Sequence, residues 1–187
     1  MPSYIKPTKG DLLISEPFLP DPNFERSVIL LCEHNKDGSL GFVLNKPIEL
    51  HLSNVIEEVN GFEKVLHKGG PVQEDTLHFI HRMGEKLQGS QEIANGIYWG
   101  GDFEQLLSMI NTKQLNPQDF IFFVGYSGWS PKQLEYELED GSWIVYKQAS
   151  PDDIFSSSPS GLWRDVLSNM GGKYRMLSNY PIDPRLN

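Results

Sequence analysis

The stretch Phe122–Leu138, FFVGYSGWSPKQLEYEL, contains an apolar strand, a serine between two glycines and the beginning of an amphipathic helix. Residues 120–124 are all apolar, which is typical of an interior strand covered on both faces. Gly125 and Gly128 then permit backbone angles that residues with a Cβ resist. We therefore expect the strand to end near Val124 and a tight corner to join it to the helix.

The helix after this corner has its own start signal. Ser130 is suited to cap it, Pro131 to occupy the first helical position, and Gln133 to complete a capping box. Trp129 would pack where strand and helix meet.

Acidic residues crowd the C-terminal end of the same helix, where the macrodipole favours cations. Glu137, Glu139 and Asp140 form this group. Two interpretations stay open: a solvated acidic face, which is preferred, or a docking surface for a basic partner or a weak divalent-cation site.

Further segments extend the pattern on both sides. Residues 26–47 predict a hairpin with a turn at NKDG, and Asp102 and Gln105 predict a capped helix over residues 102–111. Leu52, Val55, Ile56 and Val59 have helical spacing, and a last helix is expected near residues 159–170. We predict one compact α+β domain over residues 1–187, with a mixed, largely antiparallel sheet flanked by helices. Residues 1–10 and 176–187 are expected to be extended termini.

Composition excludes several classes of protein. With 16 basic and 25 acidic residues the net charge is −9, which opposes direct binding to nucleic acid. The single cysteine, Cys32, cannot form an internal disulfide, and no apolar run approaches the ~20 residues that span a bilayer. We expect a cytoplasmic protein that does not enter the membrane.

Ser127 is the only candidate nucleophile that the motifs suggest. The nucleophile elbow of α/β-hydrolases has the form G-x-S-x-G, but Trp129 occupies the position of its second glycine. All five histidines precede Ser127, which is the reverse of the order in that fold. A structural corner is therefore the preferred interpretation, and catalysis by Ser127 is the alternative.

Metal and cofactor sites have weak support. Cys32 and His34 would share one side of a strand, but two ligands do not make a structural zinc site. His78 and His81 would lie on opposite faces of a strand. Since phosphate-binding glycine motifs are also missing from the sequence, we expect neither a metal nor a cofactor.

Several motifs, in order along nearly the whole chain, resemble those of the AlgH/YqgE family of bacteria. They are Asp21-x-x-Phe24-x-x-Ser27-Val28, Cys32-Glu33-His34, Gly38-x-x-Gly41, Asn45-Lys46-Pro47, Gly69-Gly70-Pro71-Val72, Gly125-Tyr126-Ser127-Gly128-Trp129 with Gln133-Leu134-Glu135, and Asp183-Pro184-x-Leu186-Asn187.

The resemblance implies a cytosolic α+β protein of a family often described as transcriptional regulators. Alanine is frequent in the family where Ser127 stands, and glycine where Ser130 stands. Because the family has no recognised DNA-binding module, regulation would be indirect, through an unknown protein or small-molecule partner. The predicted binding surface consists of Tyr126, Ser127, Gly128, Trp129, Gln133, Glu135, His34 and Asn45. A hydrolase or transferase using Ser127 and direct DNA binding are the competing hypotheses.

Overall fold

The computed structural model describes residues 3–147, 149–183 and 185. In this part of the chain there are ten strands: β1 (Leu12–Ser15), β2 (Val28–Asn35), β3 (Gly38–Val43), β4 (Pro47–His51), β5 (Val65–Lys68), β6 (Val72–His81), β7 (Gln91–Ala94), β8 (Ile97–Trp99), β9 (Phe120–Trp129) and β10 (Trp143–Tyr146). The α-helices of the same residues are α1 (Leu52–Val55), α2 (Phe103–Asn111), α3 (Gln133–Glu139), α4 (Pro151–Phe155), α5 (Leu162–Met170) and α6 (Gly172–Leu177).

The strands form one sheet in the order β10-β1-β2-β3-β9-β6-β8-β7. Every pair along this order is antiparallel. β5 joins β9 as a parallel neighbour and pairs with β4 on its other side. The predicted α+β domain with a mixed, largely antiparallel sheet is therefore confirmed, and β9 is the strand that links its two halves.

Helices cover both faces of the sheet and divide the core into three clusters. α4, α5 and α6 pack on the cluster that contains Phe42 and Phe123. On the opposite face, α1 and α2 cover a cluster around Phe122, and α3 covers a cluster around Leu31. Residues 28–32 of β2 are at most 1% exposed, as expected for a central strand covered on both sides.

Gly125 does not end the strand, and the prediction of a tight corner there is wrong. β9 continues to Trp129, with Gly125 at φ +68° inside it. Tyr126 packs with the same cluster as Phe123, although residues three apart in a regular strand face opposite sides. Gly125, at this positive φ, thus shifts the alternation of the side chains along β9 by one position. A Cβ on it would lie 2.6 Å from the carbonyl oxygen of Gly70, so only glycine fits.

Three further predictions need correction, two of them for helices. α1 is a single turn capped by His51, and the Val55 side chain is 45% exposed, because the chain leaves the helix at Ile56. α3 begins at Gln133 after Lys132, so Ser130 does not cap it and Pro131 is not its first residue. The Gln133 side chain still accepts from the Ser130 amide at 3.0 Å.

The third correction concerns the termini. Residues 176 and 177 belong to α6 and a turn follows at residues 178–179, so this part of the C-terminal segment is not extended. Pro184, Leu186 and Asn187 of the predicted tail motif, like Met1 and Pro2, lie outside the described residues.

Candidate functional site

An open cavity lies between the β2–β3 hairpin and the end of β9, and we call it the hairpin cleft. Its volume is about 380 Å³. Tyr126, Gly128 and Trp129 come from β9, while Glu33 and Asp37 come from the hairpin. The remaining lining residues are Asn35, Gly38, Ser39, Leu40 and Val72. Three of the residues predicted for a binding surface therefore meet at one cavity.

Ser127 lies beneath this cleft and has no exposed surface. Its Oγ donates a hydrogen bond to the carbonyl oxygen of Gly69 at 3.0 Å, which ties β9 to the segment after β5. A hydroxyl has one proton to donate, and here a backbone acceptor already takes it. In this conformation Ser127 is a structural hydrogen-bond donor with no route to a substrate.

Trp129 borders the hairpin cleft but belongs largely to the core, being 6% exposed. Its Nε1 donates to Oε2 of Glu137 at 2.9 Å, and Nε1 of Trp143 donates to the same oxygen at 2.7 Å. Gln133 Nε2 donates to the other oxygen, Oε1, at 2.9 Å. Glu137 is thus neither a merely solvated acid nor part of a cation site, because it joins α3 to β9 and β10. Glu139 and Asp140 are exposed to solvent.

An aromatic cluster packs against Tyr126, which lines the hairpin cleft. The Tyr126 ring meets His78 edge to face at 5.9 Å between centroids, and Phe42 lies 5.2 Å from His78. Thr76 donates its hydroxyl proton to the Gln73 carbonyl, so His78 Nε2 donates to Thr76 Oγ1 at 2.9 Å. Burial lowers the pKa of His78. Tyr126 therefore lines the cleft together with the acidic side chains of Glu33 and Asp37, and a neutral aromatic cluster packs against it.

His34 and Ser39 form a pair that the sequence interpretation missed. They are cross-strand partners in the hairpin, and His34 Nδ1 lies 2.7 Å from Ser39 Oγ. The two-residue turn Lys36-Asp37 was the available signal, since it places the flanking residues opposite each other. No ion pair with a described carboxylate orients the His34 ring. A nucleophile and a base are present, but the third member of a triad is missing among the described residues.

The structure separates His34 from Cys32. A bulge between Leu31 and Glu33 interrupts the pairing, and the Cys32 thiol is buried in the core beneath α5. Burial raises the pKa of this thiol strongly. Within the described residues, no three His, Cys, Asp or Glu side chains are grouped as metal ligands.

The other predicted site residues are dispersed. Gln133 lines a smaller cavity of about 210 Å³ on the far side of Trp129. Glu135 is half-buried on α3 and lines neither this cavity nor the hairpin cleft. Asn45 binds the backbone around Arg26 and lines two cavities elsewhere. The predicted set of eight therefore does not form one site.

With the fold and the cleft described, the chain can be compared with known proteins. Residues 12–175 match the model of a family described as AlgH-like, DUF179. This chain belongs to the AlgH-like family. A UPF0301 protein of Cytophaga hutchinsonii is 51% identical over 181 residues, which cover 96% of this chain and 99% of that protein. A UPF0301 protein of Chlorobium limicola is 45% identical over 178 residues, which cover 95% of each.

Two solved structures resemble this AlgH-like protein. The solution structure of AlgH from Pseudomonas aeruginosa has a TM-score of 0.73 and 28% identity, and the match covers 97% of this chain and 96% of that one. The crystal structure of DIP2367 from Corynebacterium diphtheriae has a TM-score of 0.77 at 24% identity, covers 95% of each chain, and supports the fold alone. The family resemblance inferred from the motifs is confirmed.

None of the helices in the described part of this AlgH-like protein has the length and apolar character required to cross a bilayer.

Proposed function

We propose that this AlgH-like protein acts by binding a partner in the hairpin cleft, without catalysis. One observation carries the proposal: along Tyr126–Trp129, the serine hydroxyl is occupied by the Gly69 carbonyl, while the residues on either side of it line an open cavity. The segment that most resembles a catalytic motif therefore offers surface and no nucleophile.

The chemistry of the cleft favours a cationic occupant. Glu33 and Asp37 place two carboxylates on the rim, and Tyr126 offers an aromatic ring below them. Carboxylates pair with Lys and Arg side chains, and an aromatic ring attracts a cation placed over its face. The net charge of −9 adds long-range attraction. The partner is accordingly a basic segment of another protein or a cationic small molecule.

Regulation of transcription, if it is the cellular role, is indirect in this proposal. The same negative charge repels a phosphate backbone, so the protein would act on a regulator and not on DNA. We place this activity in the cytoplasm, in keeping with a single unpaired and buried cysteine.

Gly128→Leu tests the cleft with little risk to the fold. Gly128 is exposed, and the nearest atom to a Cβ built there is Tyr126 Cε2 at 3.4 Å, an ordinary contact. A leucine would fill the cleft floor. The test is affinity capture from a lysate of the source bacterium, with the amount of each captured partner measured. We expect wild type to capture proteins with basic surfaces, and Gly128→Leu to lose them. Glu33→Gln with Asp37→Asn should lose the same partners.

Glu104→Leu, at an exposed position of α2, serves as the matched control for an added leucine. It should keep the partners that Gly128→Leu loses. Identical partner sets for wild type and both cleft variants would remove the hairpin cleft as the binding surface.

A further inference from the structure

A second open region of the molecule, away from the hairpin cleft, is cationic. A cavity of about 370 Å³ lies between the loop before β2, the segment after β3 and the beginning of α5. Arg26, Lys46 and Arg164 line it, together with Asn45, Ser160 and Trp163. We call this cavity the basic groove. Three cations at one cavity are unexpected in a chain whose net charge is −9.

The structure holds Arg26 firmly in the basic groove. Its guanidinium lies over the Trp163 ring, 4.5 Å from the centroid, and one Nη donates to the carbonyl oxygen of Tyr180 at 2.6 Å. Trp163 is itself fixed, because its Nε1 donates to the Ser15 carbonyl at 2.9 Å. A stacked guanidinium held in one direction is already ordered before an anion binds.

The backbone of Arg26 is strained, and Asn45 maintains the strain. Arg26 has φ +47°, which is uncommon for a residue with a long side chain. Asn45 Nδ2 donates to the Arg26 carbonyl at 2.8 Å, and Asn45 Oδ1 accepts from the Val28 amide at 2.9 Å. Strain of this kind costs of order 1–3 kcal/mol and is concentrated at functional sites.

The cations of the basic groove form no close ion pair among the described residues. Arg26 Nε is buried with no hydrogen-bond partner among the described residues. Within the same residues, neither Arg26, Lys46 nor Arg164 forms an ion pair within 4.0 Å. Lys46 is half-buried, and its Nζ donates to the Glu25 carbonyl. Arg26 and Lys46 are partly buried without a close ion pair, which is costly for a cation, so an anion bound here would stabilise them.

Charge effects between these groups support the same conclusion. Burial and then the like charge of Arg164 lower the pKa of Arg26, and burial lowers the pKa of Lys46. Two carboxylates lie nearby: Glu25, which raises both of these pKa values, and Asp165, beside Gly161. Three cations outnumber these two acids, and the groove keeps a positive excess.

We propose that the basic groove binds the phosphate group of a small organic phosphate. Arg and Lys side chains are the usual phosphate ligands, and Arg donates to it in a bidentate manner. A second cavity of about 350 Å³ shares Asn45 and Lys46 with the groove, and Pro22, Ile48 and Pro71 line it in part. These apolar side chains would contact the organic part, and each cavity has the size of a small-molecule site.

Pyrophosphate is the probe that tests the phosphate site, used with the full chain at constant ionic strength. Amide chemical shifts followed by NMR should saturate and should be centred on Arg26, Lys46 and Arg164. Arg164→Gln should weaken binding about tenfold, because it removes one charge-assisted contact. Arg164 is exposed, so this variant should keep the fold, which an unchanged melting temperature would verify. Lys86→Gln removes an exposed lysine outside the groove and should leave the affinity unchanged.

Three results would overturn the proposal. The first is the lack of saturable binding up to about 10 mM pyrophosphate. The second is an equal loss of affinity in Arg164→Gln and Lys86→Gln, which would mean non-specific screening. The third is acetate binding at the same residues as tightly as pyrophosphate, which would mean a carboxylate site. Tighter binding of pyrophosphate than of acetate supports a phosphate ligand.

Discussion

Nε1 of Trp129 lies 2.9 Å from Oε2 of Glu137. This hydrogen bond joins the end of β9, the strand that links the two halves of the sheet, to α3, the helix that follows it. Trp143 of β10 shares that oxygen. The carboxylate connects three elements through side chains that are largely removed from water, which explains an acidic residue near the unfavourable end of α3.

Glu137→Gln should therefore destabilise the protein by about 1–3 kcal/mol, because one of the carboxylate oxygens becomes an NH₂ group that cannot accept. Urea unfolding followed by tryptophan fluorescence would measure the change. Glu139→Gln, two residues later on the same helix and exposed, should change stability by less than about 0.5 kcal/mol. Equal effects of the two substitutions would contradict the role given to Glu137.

Gly125→Ala should destabilise the fold by at least ~1–3 kcal/mol, because alanine at φ +68° would be strained and its Cβ would meet the Gly70 carbonyl at 2.6 Å. Gly128→Ala is the matched control, since its nearest contact is 3.4 Å. Thermal unfolding of the two variants should differ clearly. Similar melting temperatures of the two variants would show that the fold does not require glycine at position 125.

Stability should fall as the pH decreases below about 6.5, the ordinary pKa of histidine. Burial lowers the pKa of His67 and of His81 in the folded protein, so both stay neutral there while the unfolded chain takes up protons. The unfolded state then binds more protons, and the free energy of unfolding rises with pH across this range. Urea unfolding at pH 7.5 and at pH 5.5 would measure this change in the free energy of unfolding. Equal free energies at the two values would contradict the burial of these rings as neutral groups.

A fluorophosphonate probe should form no adduct that depends on Ser127, because its hydroxyl is buried and bonded to Gly69. Intact-mass analysis of wild type, Ser127→Ala and Ser39→Ala identifies any labelled serine. Ser127→Ala should cost only about 1 kcal/mol of stability, the value of one hydrogen bond. An adduct lost in Ser127→Ala would establish the enzymatic alternative, and one lost only in Ser39→Ala would move the nucleophile to the hairpin.

Local sequence patterns were sufficient for much of the fold. The apolar run at residues 120–124 predicted the interior strand, the NKDG turn predicted the β2–β3 hairpin, and Asp102 caps α2 through the Gln105 amide at 2.7 Å as expected. These features depend on interactions between residues a few positions apart, so the local sequence is enough to predict them. Family membership followed from the same kind of short motifs.

Long-range contacts decided the rest. The strand continues past Gly125 because residues 126–129 pair with β6 and β3, and nothing near Gly125 in the sequence specifies those partners. The eight candidate site residues are dispersed because they belong to different elements, whose relative positions only folding sets. Within β9, alternation along the strand turns Ser127 away from the cleft that Tyr126 and Gly128 line. Arg26, Lys46 and Arg164 are distant along the chain, and only folding brings them to one groove, where they form no close ion pair with a described residue. A charge is ordinary in the unfolded chain, and its cost depends on the partners and the water that the tertiary structure leaves around it.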